Sequence, residues 1–140
     1  MCVANENRSQ IAEAVFNKLS KRNHAVSAGL KPKLVGALLG SERSRFVAVM
    51  REKGYDISNA RVKGVSKNLA KSAGKIVFVF ERKHVRDSPA YLRNRPGTEL
   101  WEVESISDEV STEEYARLER KRIVRIEERV EELVNRLDDQ

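Results

Sequence analysis

The sequence has 140 residues, a net charge of +6 and a hydrophobic content of 40%, which suits one domain over residues 1–140 with a core of its own. Its single cysteine, Cys2, excludes an internal disulfide and a cysteine-rich zinc site, and is typical of a protein of the reducing cytoplasm. His24 and His84 are not spaced as ligands of one metal ion, so no metal site is predicted. No apolar run of 18 residues and no signal-peptide pattern is present, which disfavours membrane insertion and secretion.

Apolar periodicity predicts alternating helices and strands. In the first helix, Ile11, Val15 and Leu19 form one stripe along the same face. Helices are predicted over residues 9–21, 42–53, 82–93 and 113–137. Strands are predicted at AVSAG (25–29), KIVFVFE (75–81) and ELWEV (99–103). This alternation indicates a three-layer α/β/α domain with a parallel sheet, in which ligands bind beyond the carboxyl ends of the strands.

The segment CVANENRS places five residues between a cysteine and Arg8, directly before the first helix. A loop over residues 2–8 can turn its backbone N–H groups inward, and the positive end of the helix adds to their field, so the loop can bind a phosphate-sized anion. Arg8 offers two parallel donors to such an anion. The same field favours a thiolate, which makes Cys2 a candidate nucleophile.

Asn5 and Ser9 have both functional and ordinary interpretations. Ser9 can donate its hydroxyl to the thiolate, and Asn5 can hold the loop in a tight turn. Without Cys2, the same residues are simply a helix cap and a turn residue.

The segment CVANENRSQIAEAVF resembles the phosphate-binding loop and first helix of the low-molecular-weight protein tyrosine phosphatase family, which includes thioredoxin-coupled arsenate reductases. The similarity continues in order through SAG (27–29), REKGYDISNARVKGV (51–65), KIVFVFE (75–81) and HVRDSPAYLRNRPGTELWEV (84–103). Several ordered segments at compatible spacings are more specific than the loop alone, and together they span nearly the whole chain.

The resemblance implies a sheet of four parallel strands in the order 2-1-3-4. It also implies that Cys2 attacks phosphorus, that Arg8 holds the equatorial oxygens, and that water hydrolyses the cysteinyl-phosphate without a metal or organic cofactor. The substrate-binding residues would be Val3, Ala4, Asn5, Glu6, Asn7 and Ser9.

Two features of the sequence depart from the family pattern around the sheet. The resemblance places the family's central strand just before its cysteine, and here only Met1 stands in that position, so we expect the first central strand to be absent from this chain. We therefore expect a gap in the sheet between AVSAG and KIVFVFE, or that gap filled by another segment or chain.

The family's general acid is an aspartate followed by proline, and Ser105 and Ile106 occupy the matching positions. Asp108 is the nearest aspartate and the candidate acid, ahead of Glu104, although both also fit a solvated loop.

The predicted function is a cytoplasmic, cysteine-dependent phosphatase acting on phosphotyrosine or another aryl phosphate, with a phosphorylated protein, a small aryl phosphate or another oxyanion as its partner. One alternative is an arsenate reductase-like enzyme, which would need an external thiol because Asn7 stands where many relatives have a second cysteine. Another is a non-catalytic phosphate- or phosphoprotein-binding module. Nucleic-acid binding is disfavoured because the aromatic residues form no evident stacking platform. The sequence leaves the physiological substrate and the oligomeric state open.

Overall fold

The computed structural model describes residues 1–139, in which no helix is both long and apolar enough to cross a membrane. The α-helices and strands are α1 (Arg8–Leu19), α2 (Leu39–Glu42), α3 (Ser44–Glu52), α4 (Lys67–Ser72), β1 (Val77–Val79), α5 (Ala90–Arg93), β2 (Glu99–Trp101) and α6 (Thr112–Asp138). A 3₁₀ helix covers Arg82–Asp87.

A short parallel sheet forms the middle layer. β1 pairs with β2, with Val77 opposite Glu99 and Val79 opposite Trp101. Side chains alternate between the two faces of a strand, so neighbouring residues of β1 and β2 belong to two different hydrophobic clusters, one on each face of the sheet. Val79 and Trp101 pack with residues of α1, α3 and α6, whereas Phe78 packs with residues of α4 and α5. Helices therefore flank the sheet on both faces, which confirms the predicted α/β architecture.

Backbone hydrogen bonds extend this sheet sideways through the first two residues. The amino group of Met1 donates to the carbonyl of Val77 at 2.6 Å, and the N–H of Val79 donates to the carbonyl of Met1 at 2.7 Å. On the other side, Cys2 pairs in parallel with Gly29. The lateral order is therefore the segment around residue 29, residues 1–2, β1 and β2, which matches the order 2-1-3-4.

The strand predicted over residues 25–29 is wrong in extent, because only its last residue pairs. Side chains of α1 replace a neighbouring strand along its outer edge: the N–H of Ala25 donates to Asn17 Oδ1 and that of Ser27 to Glu13 Oε1, both at 2.7 Å. The other two predicted strands form, but each is shorter than the apolar run that predicted it.

Two predicted helices are interrupted. The helix over residues 42–53 is divided at Arg43, whose φ of −134° and ψ of 55° lie outside the helical region. The helix over residues 82–93 is divided before Pro89, because a proline ring disfavours the helical conformation of the preceding residue and Ser88 is extended. The helices α1 and α6 begin and end within two residues of their predicted bounds. The helix α4 was not predicted; the Ser66 side chain caps it by accepting the Leu69 N–H.

A buried ion pair anchors α6. The carboxylate of Glu119 is fully buried and accepts hydrogen bonds from the Tyr115 hydroxyl and from Arg122 Nε, each at 2.8 Å. Arg122 also donates to the carbonyl of Glu104 at 3.4 Å. This cluster therefore links α6 to the loop that follows β2.

Candidate active site

The loop over residues 2–8, called here the Cys2 loop, leaves the sheet at its carboxyl end. The carbonyl of Cys2 accepts a hydrogen bond from the N–H of Leu30 at 2.9 Å. Gly29 lies directly against the loop: a Cβ atom at this position would stand 2.9 Å from the Val3 carbonyl oxygen and 3.0 Å from the Ala4 carbonyl carbon. Glycine is therefore required for this close approach of two backbones.

Asn5 shapes the Cys2 loop. It is fully buried and has a φ of 59°, a left-handed conformation that asparagine tolerates better than most residues. Its Nδ2 donates to Ser9 Oγ at 2.8 Å and to Ser27 Oγ at 2.9 Å. Its Oδ1 accepts from Gln10 Nε2 at 3.0 Å and from the Lys63 N–H at 2.8 Å. Four side-chain hydrogen bonds thus hold the turn.

The loop wraps around the sulfur of Cys2. Sγ lies 2.9 Å from Ser9 Oγ and accepts a hydrogen bond from the Asn5 N–H at 3.3 Å. Because Ser9 Oγ already accepts from Asn5 Nδ2, its own proton is available for the sulfur. Two hydrogen-bond donors therefore converge on Sγ.

Arg8 is the first residue of α1, and its side chain is only 10% exposed. Nη1 donates to Glu81 Oε1 at 2.8 Å and to the Val103 carbonyl at 2.7 Å. Burial alone would raise the pKa of Glu81, but the hydrogen bond and positive charge of Arg8 outweigh it and hold this pKa below its usual value. Glu81 is therefore ionised at neutral pH and fixes the direction of the guanidinium.

Asn7 and Glu6, two further residues of the Cys2 loop, have structural roles. The Asn7 carbonyl accepts the Ile11 N–H at 2.9 Å, so Asn7, rather than Ser9, occupies the cap position of α1. Glu6 is buried and forms an ion pair with Arg43. This partner offsets a negative charge that would otherwise oppose an anion in the loop.

The candidate acid Asp108 lies in the exposed loop between β2 and α6. Together with Arg43, Arg45 and Tyr115 it lines a small cavity of about 200 Å³. Arg45 donates to the Asp108 carbonyl at 3.2 Å, which holds the backbone rather than the carboxylate. Arg43 also pairs with Glu6, whereas none of the residues that line this cavity belongs to the Cys2 loop.

Comparison with known proteins assigns the family. The sequence profile of the low molecular weight phosphotyrosine protein phosphatases matches residues 1–140. The chain belongs to this family. A search of curated proteins gives no match.

Solved structures of this fold have several described activities. *Vibrio vulnificus* Wzb in complex with benzylphosphonate is 20% identical, with a TM-score of 0.77, and the match covers 96% of this chain and 94% of that one. Arsenate reductase from *Archaeoglobus fulgidus* is 24% identical, with a TM-score of 0.68 and coverage of 96% and 95%. The YwlE arginine phosphatase from *Geobacillus stearothermophilus* is 18% identical, with a TM-score of 0.72 and coverage of 96% and 90%. At these identities the likeness establishes the fold alone.

Two residues at the site of this phosphatase-family chain were not predicted from its sequence. Glu81 lies two residues beyond β1, and its position at the carboxyl end of a predicted parallel strand was a usable signal. Arg43 gave no such signal, because it was expected inside a helix. Within residues 1–139, no group of three or more His, Cys, Asp and Glu side chains is placed to hold a metal ion.

The surroundings of Cys2 predict selective alkylation. Iodoacetate should inactivate this phosphatase-family protein rapidly near neutral pH, because its carboxylate is drawn to the loop and the thiolate is the reactive form. Inorganic phosphate should slow this reaction by competing for the loop, whereas uncharged iodoacetamide should react more slowly and gain less protection. Mass spectrometry of the Cys2 peptide measures all three rates, and equal rates with and without phosphate would contradict the assignment.

Proposed function

We propose that this protein is a cysteine-dependent phosphatase that hydrolyses phosphotyrosine or another aryl phosphate through a cysteinyl-phosphate. The observation that carries the proposal is the convergence of Ser9 Oγ and the Asn5 N–H on Cys2 Sγ, inside a loop that ends at Arg8. Family membership and the benzylphosphonate complex of a relative of the same fold support an oxyanion ligand.

Arg8 is positioned to clamp the phosphoryl group. A guanidinium has five N–H donors, and Glu81 and the Val103 carbonyl engage only Nη1. The donors on Nε and Nη2 are then available for two equatorial oxygens. Because Glu81 fixes the group in advance, little reorganisation is needed as charge develops in the transition state.

The first chemical step transfers the phosphoryl group to the enzyme. The Cys2 thiolate attacks phosphorus, an S–P bond forms, and the bond between phosphorus and the aryl oxygen breaks. Protonated Asp108 gives its proton to the departing oxygen, so that a phenol leaves rather than a phenolate. Ser9 stabilises the thiolate before attack.

The second step releases phosphate. Water attacks phosphorus and transfers a proton to the Asp108 carboxylate, while the S–P bond breaks and the Cys2 thiolate is regenerated. Inorganic phosphate leaves and Asp108 is again protonated. Both displacements take place at phosphorus, with the Cys2 sulfur as nucleophile in the first and leaving group in the second, and this chemistry needs no metal ion or second cysteine.

Trapping the intermediate tests the proposal. Rapid acid quenching during turnover of *p*-nitrophenyl phosphate, followed by mass spectrometry, should find phosphate on the Cys2 peptide. Tight phosphate binding without turnover or labelling would instead support a binding module. Arsenite production that depends on an added thiol, without phosphate release, would support the arsenate reductase.

The role of Asp108 has a separate test. We expect Asp108→Asn to lower kcat for phenyl phosphate about 10²-fold, because its poor leaving group depends on the acid, and to affect *p*-nitrophenyl phosphate much less. Glu104→Gln, which changes an exposed carboxylate in the same loop, is the matched control and should retain parental kcat on both substrates. Equal losses for the two variants would remove Asp108 from the mechanism.

A further inference from the structure

The loop over residues 102–111, called here the acid loop, joins β2 to α6 and carries Asp108. Arg45 of α3 holds the backbone of this loop at two points. Its Nη1 donates to the Val110 carbonyl at 3.1 Å, and its Nη2 donates to the Asp108 carbonyl at 3.2 Å. The same guanidinium lies over the ring of Tyr115, 4.4 Å from the ring centroid. One half-buried side chain therefore fixes the end of the acid loop that enters α6.

The other end of the acid loop is held from α6. Arg122 Nη1 donates to the Glu104 carbonyl at 3.4 Å, and the buried carboxylate of Glu119 fixes the Arg122 guanidinium. That carboxylate also accepts a hydrogen bond from the hydroxyl of Tyr115, whose ring contacts Arg45. The supports at the two ends are thus parts of one connected network.

This network holds the backbone of Asp108 and leaves its carboxylate available. Asp108 is exposed, and within residues 1–139 its carboxylate has no hydrogen bond or ion pair to another residue. A general acid needs this combination, because its position must be set while its oxygen atoms stay free to meet the leaving group.

A short segment links the network to the Cys2 loop. Arg43, two residues before Arg45, forms the ion pair with Glu6 of that loop. Cα atoms two residues apart are at most about 7 Å from each other, so one short piece of backbone carries both contacts. Residues 43–45 therefore connect the loop that holds the nucleophile to the loop that holds the candidate acid.

We propose that Arg45 is a positioning residue for the general acid, and that it holds Asp108 where the carboxyl group can protonate the leaving oxygen. The inference rests on the proposed phosphatase function. Arg45 acts only on the step in which the bond between phosphorus and the aryl oxygen breaks and the Asp108 proton moves to that oxygen. Replacing Arg45 should therefore matter in proportion to how much the leaving group needs the proton.

Arg45→Met tests the proposal, because methionine keeps an apolar stem beside Tyr115 but has no N–H donor in its side chain. We expect kcat for phenyl phosphate to fall about tenfold, and kcat for p-nitrophenyl phosphate to stay within about twofold of the parent, since only the poorer leaving group depends on the acid. Arg120→Met is the matched control: it removes a guanidinium from an exposed ion pair with Glu52 and should leave both values unchanged. Equal losses on the two substrates in Arg45→Met would overturn the proposal.

A double-mutant cycle shows whether Arg45 acts through Asp108. In the Asp108→Asn background, Arg45→Met should change kcat for phenyl phosphate by less than about twofold, because the group that it positions is already gone. A further loss of about tenfold in that background would overturn the proposal. If Arg45→Met does not fold, Arg45→Lys takes its place in the cycle. Lysine keeps the charge over Tyr115 but lacks the planar fork for two carbonyls, so we expect a smaller loss in the parent and none in the Asp108→Asn background.

Proteolysis separates this proposal from the proposed function. Endoproteinase Glu-C cuts after glutamate, and the acid loop contains Glu102, Glu104 and Glu109. Loss of the two carbonyl contacts should raise the initial rate of cleavage in this loop about fivefold in Arg45→Met and leave it unchanged in Arg120→Met. Unchanged cleavage in Arg45→Met, in a parent that hydrolyses p-nitrophenyl phosphate, would overturn the proposal and leave the proposed function standing. Absence of turnover in the parent would instead overturn the proposed function, and with it the catalytic role of Arg45.

Discussion

Arg8→Lys is expected to lower kcat/KM for *p*-nitrophenyl phosphate about 10³-fold, the upper end of the range for losing one preorganised oxyanion donor. Nη1 of Arg8 is occupied by Glu81 and the Val103 carbonyl, so Nε and Nη2 are the donors left for a substrate oxyanion. Lysine has a single ammonium group and cannot hold Glu81 and two phosphoryl oxygens in one plane. Steady-state kinetics at saturating and limiting substrate measure the effect on kcat and KM separately.

The matched control for this substitution is Arg117→Lys. Arg117 forms an exposed ion pair with Glu114 on α6, and the same chemical change there should leave kcat/KM within twofold of the parent. A second comparison, Glu81→Gln, keeps the hydrogen bond to Arg8 but removes the charge. It should raise KM and lower kcat less than Arg8→Lys does. Parental activity in Arg8→Lys would remove the guanidinium from the proposed mechanism.

The Cys2 loop was predictable because its chemistry is local. Cys2, Asn5, Arg8 and Ser9 lie within eight residues, and the helix that follows has a clear apolar stripe. The distant residues that hold Arg8 in place were harder to predict. Arg8 meets Glu81 across 73 residues and Val103 across 95, and no periodicity in the sequence connects them.

The errors in secondary structure have equally specific causes. The segment AVSAG has the composition of a strand, but side chains of α1 take the hydrogen bonds along its outer edge, and of its five residues only Gly29 pairs with another segment. Pro89 was present in the predicted helix over residues 82–93, and its effect on Ser88 was a readable signal that the apolar pattern concealed. Hydrophobic periodicity therefore located the layers, whereas individual hydrogen bonds decided where each element ends.

Glu119→Ala is expected to destabilise the fold by about 3–5 kcal/mol, the cost of removing one partner from a buried ion pair. Glu119 is fully buried and accepts hydrogen bonds from Tyr115 and Arg122, so its removal leaves a buried guanidinium without its counter-charge. The same guanidinium reaches the Glu104 carbonyl, so the loop that carries Asp108 should also loosen. Urea denaturation measures the effect as a lower midpoint with an unchanged slope.

Glu114→Ala is the matched control, because it removes the acidic partner of an exposed pair with the same spacing on the same helix. Its denaturation midpoint should stay close to that of the parent, since solvent replaces the lost partner at the surface. Replacing Glu119 and Arg122 together with Leu and Met should recover much of the lost stability, because the cost arises from the unpaired charge rather than from the absence of the pair. If Glu119→Ala and Glu114→Ala unfold at the same urea concentration, the buried pair does not anchor α6.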